Sequence, residues 1–187
     1  MNLLALASRD VGVAPTIVTP TMVPPALEIA PVGATPTSRL KKPNPHSKDL
    51  RKGRHSEPNR IYLITTNTEN REPVFRNFHA ARTLIKKLKK EQELGRAMTL
   101  AFVVMPDHLH WLMQLTGPTE LATILQSVKT LSAKQIGHRF WQAGYHDHAL
   151  RKEEDIKATA RYIVANPLRA GLVKRIGDYP HWDAIWL

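Results

Sequence analysis

Two histidines separated by one residue lie inside a mostly apolar segment, MPDHLHW at residues 105–111. Alternate residues of a β-strand point to the same face, so a strand here would place His108 and His110 side by side. Unpaired imidazoles are costly in apolar surroundings, which favours a functional role over simple packing. Because imidazole nitrogen is a common ligand of divalent transition metals, this pair predicts part of a metal site.

A second polar pair follows in the segment YIVANP at residues 162–167. On a helix, residues four apart share a face, so Tyr162 and Asn166 would lie together. Pro167 disfavours helical geometry at the residue before it, which places Asn166 at the helix end. A phenol is a weak nucleophile at neutral pH and needs a nearby cation or base. Two imidazoles, one amide oxygen and a tyrosine hydroxyl could therefore hold a metal and break a phosphodiester.

A third cluster, YHDH at residues 145–148, offers a competing nucleophile. Tyr145 is the alternative to Tyr162, which ranks first because it has an amide four residues further on. We interpret His148 or Asp147 as bordering the site or contacting DNA. A strand with alternating exposure would explain the same cluster without any function.

The composition limits the classes of partner. The 187 residues carry a formal net charge of +11, and because residues 1–38 carry −1, the remainder carries +12. A domain this basic usually binds a polyanion, most often nucleic acid, although a basic surface without a specific partner is the alternative. The absence of cysteine excludes disulfides, thiolate zinc sites and cysteine nucleophiles.

The sequence also predicts where the protein resides. The first residues lack a basic segment before a short apolar run and make a poor signal peptide. Every long apolar stretch is interrupted before it could cross a bilayer. We expect a cytoplasmic protein, nucleoid-associated when bound to DNA, with no membrane partner and no small-molecule cofactor. A monomer is favoured over a dimer.

The sequence predicts a disordered proline-rich tail and basic linker over residues 1–49, and a folded domain over residues 50–187. Six prolines between residues 11 and 38 exclude a helix or a central strand there. The basic run over residues 39–55 includes Arg51, Lys52 and Arg54, which we expect to contact DNA phosphates. Such a run is otherwise commonly only solvated.

The remaining pattern predicts an α+β fold. Apolar and alternating runs predict four strands, over residues 61–66, 98–105, 108–115 and part of 141–150. Helical periodicity predicts three helices, over residues 78–94, from 117–119 to 136, and over about 153–165. The order β-α-β-β-α-β followed by a helix is the ferredoxin-like antiparallel sheet with two helices on one face. The opposite face would then be left for a partner.

Four separated motifs occur in order: RKGRHS at 51–56, MPDHLHW at 105–111, YHDHALR at 145–151 and YIVANPLRAGLV at 162–173. With these motifs the chain resembles the REP-associated tyrosine transposases. These are bacterial relatives of the single-strand insertion-sequence transposases, within the HUH endonuclease superfamily. The resemblance runs from about residue 50 to residue 187, and residues 1–49 have no counterpart in it.

The resemblance implies a set of roles. His108 and His110 would be metal ligands, Asn166 the third protein ligand, and Tyr162 the single nucleophile on the additional C-terminal helix. The metal would be Mg²⁺ or Mn²⁺, and two imidazoles with one amide suit Mn²⁺ better. The partner would be single-stranded DNA hairpins of repetitive palindromic elements with a flanking tetranucleotide. Cleavage would leave a 5′-phosphotyrosine link and a free 3′-hydroxyl.

DNA contacts outside the site are expected from the lysines of the first predicted helix, including Lys86 and Lys87. Two alternatives remain open. The same fold could bind DNA hairpins without cleaving them. It could also bind RNA, although such a module usually carries exposed aromatic residues on its central strands.

Overall fold

The computed structural model describes residues 56–151 and 155–186. Within them lie five strands: β1 (Ile61–Asn67), β2 (Ala97–Met105), β3 (His108–Leu115), β4 (His146–Ala149) and β5 (Trp182–Ala184). The α-helices there are α1 (Phe78–Glu93), α2 (Leu121–Ile136), α3 (Ile156–Val164) and α4 (Asn166–Arg169). The predicted tail, its boundary at residue 50, and Arg51, Lys52 and Arg54 lie outside the described residues.

The strands form one antiparallel sheet in the order β4-β1-β3-β2-β5. The first four strands in this order have the ferredoxin-like arrangement, so the predicted fold class is confirmed. β2 and β3 form the predicted hairpin, in which Met105 pairs with His108 across a two-residue turn. β5 was not predicted, and it pairs with the outer edge of β2.

One face of the sheet carries the main hydrophobic core. Leu109, Trp111 and Met113 of β3 point into this core, which also contains the buried stripes of α1 and α2. The Trp111 indole Nε1 donates to Thr99 Oγ1 on β2 at 3.1 Å, so the buried ring has its polar group satisfied. This face has the two helices that the sequence pattern predicts.

The opposite face is covered in part by α3, contrary to the expectation that it would be left for a partner. Ala160, Ile163 and Val164 of α3 pack with Leu112 of β3 and with β2 residues in a second hydrophobic cluster. The amphipathic pattern of α3 explains this, since its apolar residues need burial and only this face of the sheet is available. The helix is thereby held against the face to which alternate residues of β3 point.

The first turn of α3 is held by its capping residue. The Asp155 carboxylate accepts hydrogen bonds from the backbone N–H groups of Lys157 and Ala158, at 2.8 and 3.0 Å. These are donors that have no partner within a helix, and an acceptor at the N-cap satisfies them. The cap sets where the helix that carries Tyr162 begins.

We expect Asp155→Ala to lower the free energy of unfolding by about 1 kcal/mol, because two helix N–H groups lose their acceptor. Asp155→Asn keeps an acceptor oxygen and should lower the free energy of unfolding by only about a few tenths of a kcal/mol. Urea unfolding followed by circular dichroism measures both variants. An equal loss in the two would assign the effect to the charge of the carboxylate and not to the cap.

Candidate active site

The two histidines lie on β3 immediately after its turn with β2. The turn is anchored because Thr68 donates from its backbone N–H to Asp107 O and Phe75 donates to Pro106 O, both at 2.9 Å. On β1, Asn67 stands opposite His108 and Thr65 opposite His110. The two imidazole rings are perpendicular, with centroids 4.8 Å apart. The predicted pairing of the imidazoles on one face is therefore observed.

Each imidazole is oriented through its Nδ1 atom. His108 Nδ1 lies 2.6 Å from Asp107 Oδ1, and His110 Nδ1 lies 2.9 Å from Thr65 Oγ1. Partners of this kind hold metal-binding histidines in one tautomer and one ring orientation. With Nδ1 engaged in both rings, Nε2 is the nitrogen left for a ligand or substrate.

Burial and charge shift the pKa values of His110 and Asp107. Burial, followed by the charges of His108, Arg169 and Arg71, lowers the pKa of His110 to about 4 from its ordinary 6.5. Burial would raise the pKa of Asp107, but the hydrogen bond and charge of His108, together with Arg71, outweigh it and lower that pKa. His110 is therefore neutral near pH 7, which is the form that binds a metal.

Tyr162 and Asn166 meet at the junction of α3 and α4. Ala165 lies between the two helices, so Asn166 is at a helix boundary as predicted. Arg169 joins the two residues: its Nη2 donates to Tyr162 O at 2.7 Å and to Asn166 Oδ1 at 2.5 Å. Its guanidinium also lies over the Tyr162 ring, 3.9 Å from the centroid. α3 packs against Leu112 of β3 and against β2, so this junction lies on the sheet face to which the two histidines point.

The four tyrosines all fall in the described part of the chain and differ in accessibility. Tyr162 is 63% exposed, whereas Tyr62 is 6% exposed. Tyr179 is half-buried and donates to Val104 O at 2.7 Å, and burial raises its pKa to about 12. Tyr145, the competing nucleophile, packs against the core on the α1/α2 face, away from the histidines. Of the four, only Tyr162 combines high exposure with a helix that packs on the face of the histidine pair.

The donor set can be tested for its fit to a metal. Asn67 Oδ1 and Asn166 Nδ2 are buried and have no hydrogen-bond partner among the described residues. Asn67 is opposite His108 and shares its face, so an unpartnered amide oxygen lies next to the imidazoles. The described residues contain no cluster of three or more His, Cys, Asp or Glu side chains placed for a metal. An amide nitrogen is not a metal ligand, and Asn166 Oδ1 already accepts from Arg169 Nη2, so Asn166 would join a metal only through the second lone pair of that oxygen. Two imidazoles with the Asn67 oxygen would fit a divalent ion that keeps water or substrate oxygens as further ligands.

The residues predicted to bind DNA are distributed over both faces. His148 is exposed on β4 and pairs with Leu63 of β1. His146 shares its face and stands in line with Thr65 and His110. Lys86 is exposed and Lys87 half-buried on α1, which packs on the opposite face of the sheet. The structure therefore brings His148 to the face of the histidine pair and does not bring Lys86 or Lys87 there.

Sequence reasoning missed several groups that hold the site. The sequence predicts Asp107 as a turn residue beside His108, but its role as the partner of His108 Nδ1 was missed. Arg169 lies in the YIVANPLR motif, and its contact with Asn166, three residues before it, was available from helical spacing. Its contact with Tyr162 spans seven residues. Thr65 and Asn67 carry no such signal, because they reach the histidines only through the pairing of β1 with β3.

The described residues thus combine a ferredoxin-like sheet, a histidine pair on its central strand and an exposed tyrosine on a helix packed against it. A family model described as "Transposase IS200 like" matches residues 58–166, more than half of the chain. The chain therefore belongs to the IS200-like transposase family.

Several known proteins are similar to the chain. A REP-associated tyrosine transposase of Escherichia coli (strain K12) is 27% identical over 123 residues, covering 64% of this chain and 73% of the relative. A solved structure of a REP-associated tyrosine transposase bound to a REP hairpin is 25% identical with a TM-score of 0.58. That similarity covers 69% of this chain and 79% of the other. No helix in the described residues is both long and apolar enough to cross a membrane.

In metal-free protein, we expect the free energy of unfolding to fall as the pH decreases from 6.5 to 4. The unfolded chain binds a proton at His110 below pH 6.5, whereas the folded protein does not take it until about pH 4. His110→Gln should flatten this part of the curve relative to wild type. Urea unfolding at several pH values in EDTA measures the free energy of unfolding of both proteins as a function of pH.

The control is His146→Gln, since His146 is an exposed histidine on the same face. This variant should keep the wild-type pH dependence. A slope that survives in His110→Gln would assign the effect to another buried group, such as His181, whose pKa is also lowered by burial.

Proposed function

We propose that this transposase cleaves and rejoins single-stranded DNA at hairpin-forming repetitive palindromes through a 5′-phosphotyrosine intermediate. The observation that carries the proposal is the position of Tyr162, an exposed phenol joined through Arg169 to Asn166 on a helix that packs on the face of the histidine pair. The similarity to a transposase structure with a bound REP hairpin supports the hairpin substrate. The net charge of +11 suits a polyanionic partner.

The cleavage step would be a displacement at phosphorus. The Tyr162 Oη–P bond forms as the bond from phosphorus to the 3′ oxygen breaks, and the phenol proton ends on that oxygen. The 5′ end stays on the enzyme, and the 3′ end leaves as a hydroxyl. Attack by a 3′-hydroxyl on the phosphotyrosine reverses these changes and rejoins the strand. No energy source is needed, because one phosphodiester replaces another.

Arg169 would position the nucleophile. Its guanidinium covers the Tyr162 ring, and Nη2 is shared between Tyr162 O and Asn166 Oδ1. A guanidinium can bind a phosphate oxygen through its other N–H groups, so the same residue can hold the scissile phosphate near the phenol. Because the guanidinium is rigid and planar, it would hold the phenol and the phosphate in a defined geometry at the junction of α3 and α4.

His108, His110 and Asn166 would hold the metal, Mg²⁺ or Mn²⁺, and the unpartnered amide oxygen of Asn67 could supply a further oxygen. The metal would neutralise charge that develops on the phosphate and its leaving oxygen. Asp107 and Thr65 would keep the imidazoles oriented for it. Two nitrogen ligands favour Mn²⁺ over Mg²⁺.

DNA outside the site would be held by cationic side chains. His148 lies on the face of the histidine pair, so it is placed to contact the strand near the site. Arg51, Lys52 and Arg54, with Lys86 and Lys87 on α1, would contact phosphates of the hairpin, which makes binding strongly salt-dependent. We place the protein in the cytoplasm, on the nucleoid when bound, and acting as a monomer.

We expect Tyr162→Phe to abolish the covalent adduct while hairpin binding persists, because phenylalanine lacks the attacking oxygen. The assay incubates the protein with Mn²⁺ and a single-stranded repeat hairpin labelled at either end, followed by a denaturing protein gel. In wild type, only the fragment on the 3′ side of the break should migrate with the protein.

Tyr145→Phe is the matched control and should form the adduct like wild type. An adduct that persisted in Tyr162→Phe and vanished in Tyr145→Phe would identify Tyr145, on the opposite face of the sheet, as the nucleophile. Binding without any adduct in wild type would instead favour the non-catalytic hairpin-binding protein. Equal binding of an RNA hairpin would favour an RNA-binding role.

We expect Thr65→Val to weaken Mn²⁺ binding by about 10- to 100-fold, because His110 loses the partner of its Nδ1. Thr66→Val is the matched control, since the Thr66 hydroxyl is buried and has no partner among the described residues. That variant should bind Mn²⁺ like wild type and unfold at the same or higher urea concentration. Calorimetric titration measures the affinity, and equal losses in both variants would contradict the proposed role of Thr65.

A further inference from the structure

A cavity of about 890 Å³ lies on the α1/α2 side of the sheet, between the second half of α2 and the loop over residues 137–145. Its size is in the range of about 300–1,000 Å³ that is usual for sites enclosing a small organic group. It lies on the face opposite the histidine pair, so the residues of the proposed active site do not line it. Any ligand of this cavity would therefore contact residues outside the proposed active site.

The lining of the cavity is cationic and aromatic. It includes Lys134, His138 and Arg139, which are exposed, and Trp141 and Tyr145, which are half-buried. None of the residues that line it is acidic. The carboxylate near its rim is that of Glu72, whose Oε1 lies 4.0 Å from His138 Nε2. Aromatic walls that stack a base, with cations beside them, are the chemistry that binds a nucleotide of a single strand.

The cavity is built on a loop that the fold holds in place. Lys129 Nζ donates to the backbone carbonyls of Gln142 and Gly144, at 2.7 and 2.6 Å. The Trp141 indole Nε1 donates to Ser132 Oγ at 2.9 Å. Lys129 also lies 5.6 Å from the centroid of the Trp141 ring. A site that is formed before its ligand arrives loses little ordering entropy on binding.

The rim of the cavity is at the same end of the sheet as the histidine pair. Gln142 donates from its backbone N–H to Asn67 O at 3.0 Å, and Asn67 stands directly opposite His108. The loop then leads into β4, where His146 pairs with Thr65. A DNA strand that passes around the end of β1 could therefore contact the histidine face with one nucleotide and this cavity with another.

From this placement we propose that the cavity between α2 and the loop 137–145 binds one unstacked nucleotide of the single-stranded DNA next to the hairpin. The base stacks within the aromatic walls, and Lys134 and Arg139 hold its phosphate. A duplex keeps its bases stacked and paired, whereas an unpaired base can be turned out of the strand into an open pocket such as this one. The proposal rests on the proposed function, and it assigns part of the DNA reading to a surface remote from the chemistry.

The first test is an abasic scan on the full chain in EDTA, which prevents cleavage. Each unpaired nucleotide flanking the hairpin is replaced in turn by an abasic one, and affinity is measured by fluorescence anisotropy. We expect one position to lose about 10- to 100-fold in affinity, the range that stacking of one base spans. A 2-aminopurine at that position should be quenched on binding.

Two variants connect that position to the cavity. Lys134→Ala/Arg139→Ala should weaken binding of intact DNA. It should also reduce the slope of log affinity against log salt concentration by the amount expected for one or two lost phosphate contacts. Ala133→Leu fills the cavity without changing charge, and it should remove the sensitivity to the abasic position. Lys89→Ala/Lys174→Ala removes the same charge from exposed residues outside the cavity and should keep that sensitivity.

The outcomes separate this inference from the proposed function. Equal abasic sensitivity in wild type and Ala133→Leu, with normal cleavage in Mn²⁺, would overturn the nucleotide cavity and leave the proposed function intact. If wild-type protein did not bind the hairpin at all, both the nucleotide cavity and the proposed function would be overturned. If millimolar dGMP bound in a Lys134- and Arg139-dependent way and DNA affinity did not depend on these residues, the cavity would serve a free nucleotide instead.

Discussion

The position of β3 between β1 and β2 is the constraint on which the rest of the molecule depends. Both of its edges are hydrogen-bonded, and its side chains alternate between two covered faces. A slip of one residue would turn Trp111 out of the core and the histidines into it, so the burial of Trp111 enforces the register. The same packing that stabilises the sheet therefore also presents His108 and His110 together on the other face.

The tyrosine side of the site is assembled by a different interaction. α3 has to bury Ile163 and Val164 against the sheet, and this docking turns Tyr162 outward at the edge of the histidine face. Arg169 then joins the last turn of α3 to α4 by contacts with both Tyr162 and Asn166. Hydrophobic burial determines where the helix lies, and charge-assisted hydrogen bonds determine how its functional residues are arranged.

The end of β1 connects the two candidate DNA-binding regions. Thr65 and Asn67 face the histidines through their side chains, while the backbone carbonyl of Asn67 accepts from Gln142 in the loop of the cavity. One strand thus supports the proposed chemistry on one face and the proposed nucleotide cavity on the other. Because backbone hydrogen bonds and side chains leave a strand in perpendicular directions, both can be supported at once.

The sequence by itself determined the order of the elements, the hairpin, and the pairing of the two histidines. These follow from local periodicity, which a strand or helix expresses wherever it lies. Tyr162 and Asn166 were recognisable for the same reason, since helical spacing brings them together. Their proposed roles stay predictions, as do those of the metal ligands and of the DNA-binding residues.

Only the tertiary structure decided the contacts between segments distant in sequence. Neither the short β5 nor the packing of α3 on the second face has a local signal, because three residues show no period and docking depends on what surface is available. Likewise the bond from Thr65 to His110 and the cavity between α2 and its following loop exist only once strand pairing has brought them together. Such contacts depend on register and packing, which no single segment encodes.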